Sequence, residues 1–135
     1  MNNNFYDHLI ESDEFCLYLG RLTLLVSKLE SSLKEIIISS GVKVNFKLDK
    51  PTLGPLIGGC KEHDLVNVDV AYLLDYILER RNYLIHNLFP LFEGKLKPSL
   101  LPNEDLVPED AEYLFAKCAR ELTEEVQNTL KMLNT

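Results

Sequence analysis

Three side chains within one short stretch, Arg81, Asn82 and His86, are the ones best suited to chemistry in this chain. An imidazole titrates near neutral pH and can give or take a proton. A guanidinium presents a fixed fork of donors that fits phosphate or carboxylate oxygens. A carboxamide both donates and accepts, so it can hold an imidazole or a substrate in place. Other chemistries lack their residues. The segment Leu53-Gly54-Pro55-Leu56-Ile57-Gly58-Gly59 is glycine-rich but lacks the Lys and Ser/Thr of a phosphate loop. Neither a nucleophile elbow nor an H-E-x-x-H is present. His8 and His63 have no ligand company, and Cys16, Cys60 and Cys118 are scattered and odd in number. No metal, no cofactor and no disulfide framework are therefore expected, and the cysteines read as buried reduced thiols.

The helix that must carry these residues reads from Asn67 or Asp69 to about Phe89, with Pro90 expected to end it. At 100° per residue, Val70, Leu73, Leu74, Ile77, Leu78, Leu84, Ile85 and Leu88 form one apolar arc, and Arg81 falls near its middle. A guanidinium there must be paired, or must look into a cleft or a subunit interface. Asp75, Glu79, Asn82 and His86 form a polar stripe beside the arc. Arg81 and His86 are about 140° apart in projection and about 7.5 Å apart in rise. On one helix they are not a compact pair. Across two copies of the helix, an Arg from one and a His from the other can meet a single substrate. Each residue also has a plainer reading: His86 as a histidine favoured by a helix C-terminus, Arg81 as half of a structural ion pair with Glu30 or another carboxylate, Asp75 and Glu79 as a solvated face. Tyr72, Tyr76 and Tyr83 read as partly buried on the outer side, or as an interface or base-stacking set.

The remaining elements follow the same period. Residues 1–11 read as a polar lead-in with at most a short helical turn. Ser12 caps a long helix with Asp13 and Glu14 in its first turn, apolar residues recur from Phe15 to Ile37, and Gly41 stops it. Gly20 inside that helix lowers its stability and suits a close contact. Residues 42–51 alternate apolar and polar, but one such segment has no partner strand, so an extended loop is expected. Thr52 opens a short helix that Gly58 and Gly59 should leave weak or broken. Residues 90–107 read as a long loop. Pro108, Glu109 and Asp110 start a last helix with Leu114, Cys118, Leu122, Val126, Leu130 and Leu133 along one face. The sum is one all-α domain over residues 1–135, a bundle of four to five helices.

Composition sets further bounds. The 135 residues carry 14 basic and 21 acidic side chains, a formal charge of −7, which argues against broad electrostatic binding of nucleic acid but allows a local basic site. The opening residues have neither the basic nor the apolar stretch of a signal peptide, and no segment is apolar enough to span a membrane. A cytoplasmic protein with no membrane partner is the expectation.

The segment Arg80-Arg81-Asn82-Tyr83-Leu84-Ile85-His86-Asn87 resembles the signature of HEPN domains, an Arg followed a few residues on by a His, with a polar residue, often Asn, directly after the Arg. Its place late in the third major helix matches, and the first long helix, LTLLVSKLESSLKEII with Glu30 between apolar turns, is similar to the family's. The resemblance implies a HEPN-like bundle that dimerises through the third helix and cuts RNA without metal. The 2′-hydroxyl would attack the adjacent phosphate and leave a cyclic phosphate end. On that pattern His86 moves the proton, Arg81 holds the phosphate, Asn82 orients His86 or the substrate, Glu30 orients Arg81, and a positive cleft comes from Arg80, Arg81 and their mates across the dimer, with Lys95 and Lys97 of the long loop. A toxin or defence effector restrained by an antitoxin or regulatory protein would fit such an activity. Two other readings stay open: a catalytically silent HEPN-like dimerisation or regulatory module, and a helical module that binds a nucleotide without cutting it.

Overall fold

The computed structural model of the chain describes residues 3–92 and 108–134. Five helices form a bundle: α1 (Asn3–Glu11), α2 (Asp13–Ser40), α3 (Leu53–Glu62), α4 (Val68–Phe92) and α5 (Pro108–Leu133). No strand occurs among the described residues. None of these helices is long and apolar enough to cross a membrane.

The sequence signals act where they are expected at both ends of α2. The Ser12 backbone is extended (φ −78°, ψ 105°), and its Oγ accepts the Phe15 N–H at 3.2 Å. Gly41 takes the left-handed conformation at φ 75°, which a side chain would strain, and its N–H returns to the Ile38 carbonyl at 3.2 Å. Between them Phe15, Leu22, Val26, Leu29, Leu33 and Ile37 are buried. Asn67 opens α4 by accepting the Val70 N–H at 2.8 Å.

α5 is the central element, packed against α1, α2 and α4. That position changes its buried face. The core residues are Phe115, Ala119, Leu122, Val126 and Leu130, while Leu114, Cys118 and Leu133 are only half-buried. The expected single stripe is therefore rotated and widened, because a helix flanked on several sides has no one apolar edge. Thr123 and Thr129 are buried within it and donate to the Ala119 carbonyl at 2.6 Å and the Glu125 carbonyl at 2.8 Å.

Three further expectations are corrected. Residues 3–11 are a helix rather than a polar lead-in: Leu9 is buried, and His8 Nε2 lies 2.6 Å from Glu112 Oε1 on α5. Tertiary contact stabilises a segment whose own pattern is weak. α3 is continuous through Gly58 and Gly59, since Leu53, Leu56, Ile57 and Cys60 are buried around them. Gly59 is there for close approach: a Cβ would sit 3.3 Å from Ile37 Cδ1 and Val44 Cγ1. Finally, α4 runs past Pro90 to Phe92. A proline removes one N–H near the helix end, a smaller disruption than the same loss in mid-helix.

Residues 42–51 form the expected loop, but with bends at 45–46 and a turn at 48–49 rather than an extended path throughout. Val44, Phe46 and Leu48 turn onto the core while Lys43, Asn45 and Lys47 face solvent. The three cysteines are free, but only Cys60 is buried, its thiol pushed up to about 11 by that burial; Cys16 is exposed and Cys118 half-buried. Cys16 sits near the α1–α2 junction, where its thiol approaches the Leu9 carbonyl at 3.4 Å.

Candidate functional site

The inward line of α4 is Val70, Leu74, Ile77 and Leu84, all buried. Arg81 lies on this line, one turn beyond Ile77 and one before Leu84. It is half-buried, and no ion pair involving it forms among the described residues. Glu30 is half-buried on α2, and no ion pair joins it to Arg81. Among the described residues α2 and α4 are not neighbours in the bundle. Asn82 and His86 are both exposed, on the side of α4 that faces away from the core. Ile85 beside them is 37% exposed rather than packed within the arc. Leu88 and the loop lysines Lys95 and Lys97 lie outside the described residues or side chains.

One chain thus keeps Arg81 and His86 on different faces, the separation that helix geometry requires. His86 is also six residues short of the end of α4, outside the last turn where a helix dipole favours a cation. Asp75 and Glu79 are exposed, and Asp75 Oδ2 takes the Lys61 ammonium at 2.8 Å, a surface tie between α3 and α4. Among the described residues no group of three or more His, Cys, Asp or Glu is placed to hold a metal ion.

A groove of about 670 Å³ runs between α4 and α5, on the other side of Glu79 from His86. Tyr76, Arg80 and Tyr83 line it from α4, Lys117 and Cys118 from α5. The Arg80 guanidinium lies 5.4 Å from the Tyr76 ring centroid, and its hydrogen bond to Tyr76 holds its pKa up. Burial raises the Tyr83 phenol and the Cys118 thiol above their ordinary values. The sequence offers Arg80 only as a contributor, with Arg81, to a positive cleft across a dimer, not as part of a groove with α5. Tyr76 and Tyr83, seven residues apart, fall on one side of the helix and are half-buried there, whereas Tyr72 is exposed. What the sequence lacks is the pairing of this side with α5.

Comparison of the chain with family models, with curated proteins and with solved structures gives no match.

Proposed function

We propose that this chain is a metal-independent endoribonuclease of HEPN type that works as a homodimer with two copies of α4 facing each other. One observation carries the reading. Arg81 occupies the core register of α4, is not fully buried, and forms no ion pair among the described residues. A guanidinium in that position has donors to offer an anion, and a phosphodiester is the anion it suits. The exposed Asn82 and His86 lie within one to two turns of it. A second copy of α4 laid against Ile85 would set the His86 of one chain beside the Arg81 of the other. His86 then takes the proton of the 2′-hydroxyl as that oxygen attacks phosphorus, or gives one to the leaving 5′-oxygen. Arg81 offsets the charge that grows on the non-bridging oxygens, and Asn82 holds the imidazole. Because the nucleophile belongs to the substrate, such a site selects RNA over DNA.

A second reading, a silent interaction module, is favoured by the formal charge of −7 and by the separation of Arg81 from His86 on α4. RNA cleavage in EDTA separates the two. Wild type should cut, and His86→Ala and Arg81→Ala should lose at least 100-fold of the rate, with helicity and mass unchanged. Equal rates in the folded variants would leave the interaction module as the reading.

A further inference from the structure

α2 carries an anomaly on the face the core does not use. Its buried residues Phe15, Leu22, Val26, Leu29, Leu33 and Ile37 define one line along the helix. The line about 180° away carries Leu17, Leu24, Ser31 and Ile38, spaced by seven. Leu17 is 47% exposed, Leu24 73% and Ile38 57%. Scattered surface leucines need no explanation, but these occupy the most outward line of a 28-residue helix in heptad register. Gly20 sits on the same side. A Cβ there would meet nothing within 4 Å, so no contact inside the chain accounts for a helix-weakening residue at that position.

We infer that this face of α2 is a docking surface for the α2 of a second copy, packed antiparallel about a two-fold axis near Ser27 and Lys28. The charges identify the occupant. In the antiparallel pair Arg21 lies beside the other copy's Glu35, and the symmetry makes that pair twice. In the same register Leu17 lies over Ile38 of the other copy and Leu24 over the small Ser31. Gly20, Ser27 and Ser31 let the backbones approach. Lys28 and its mate meet near the axis, where their flexible stems can lie along the helices with the ammonium groups in water. Arg21 is already laid over the Tyr18 ring, 5.9 Å from its centroid, which limits the freedom it loses on pairing. This surface is separate from the outward face of α4, and the inference does not depend on the ribonuclease reading.

The test is solution mass by sedimentation or light scattering, with helicity checked, over roughly 1–100 µM, the range suited to a small interface. Wild type should associate with concentration. Leu24→Glu should weaken that association at least tenfold, since it sets a carboxylate in the middle of the apolar line. Arg21→Glu alone and Glu35→Arg alone should each weaken it. Arg21→Glu with Glu35→Arg in the same chain should restore it, because both pairs re-form with reversed sign. A wild type that is monomeric throughout, an association that Leu24→Glu leaves unchanged, or a double variant no better than the single ones would overturn the inference. A dimer lost in Ile85→Glu but kept in Leu24→Glu would likewise overturn it while leaving the α4 dimer intact.

Discussion

Replacing Arg81 by methionine separates a structural arginine from a functional one. The side chain occupies a position of the α4 core line between Ile77 and Leu84, is half-buried, and has no ion-pair partner among the described residues. Full burial of an aliphatic side chain of this size stabilises by about 1.5–3 kcal/mol relative to exposure. The position is only half-buried, and the arginine stem already covers part of that surface, so the net gain from Arg81→Met is about 0.5–1 kcal/mol. For a domain of this size that raises the melting temperature by roughly 2–4 °C. The same change removes the proposed phosphate donor, so RNA cleavage should fall at least 100-fold. Gained stability with lost activity is the signature of a residue held for function at a cost to the fold. The assays are thermal unfolding by circular dichroism and cleavage of labelled RNA in EDTA. A loss of more than about 1 kcal/mol would refute the reasoning, since it would mean that the guanidinium satisfies a buried charge.

Four further outcomes follow from contacts already described. Ser12→Ala should destabilise by about 1–2 kcal/mol in urea unfolding, since Oγ caps α2 at Phe15 and also donates to Glu112 Oε2 at 2.6 Å. The Ser12 hydroxyl, and after it His8, hold the Glu112 carboxyl below its ordinary range. A depressed folded-state pKa means stability that is present above the unfolded carboxylate value and lost as pH falls through the folded one, so Glu112→Gln should flatten the acid limb of the stability profile below about pH 4 and leave neutral pH less affected. Gly20→Ala should stabilise the dilute monomer by about 0.5–1 kcal/mol, because the new methyl meets nothing. Gly59→Ala should give less than that or destabilise, because its methyl presses on Ile37 and Val44 at 3.3 Å.

How legible each part was depends on whether local or tertiary physics decides it. α2 is readable because its period, its Ser12 cap and its Gly41 stop agree with one another. The start of α4 is readable from Asn67, and the divergence of Arg81 and His86 from helix geometry alone. α1 is not, since Leu9 and the His8–Glu112 contact stabilise it across about a hundred residues of chain. The integrity of α3 is hidden for a related reason: Gly58 and Gly59 argue against a helix locally, and only the packing of Val44 and Phe46 shows that Gly59 is a fitting surface. The buried face of α5 differs from the stripe its pattern predicts because the sequence does not say how many neighbours a helix has. Of the candidate site, residue types and angular placement were readable. The groove beside Arg80 was not, because it exists only where α4 meets α5.

The central place of α5 bears on the order of folding. The helix that completes the core is the last of the five in chain order. The contacts that fix it to α1 and α2, such as His8 with Glu112 and Thr123 with the Tyr18 carbonyl, close loops of about a hundred residues. Helices form in microseconds, but these closures carry the larger entropic cost, so assembly is slower than the helical content suggests. Until α5 arrives, the apolar line from Phe15 to Ile37 has water where its main neighbour should be. During synthesis this chain therefore presents a sticky helix early and the surface that covers it late, and the interval between them is when it is most open to aggregation or to capture by a chaperone.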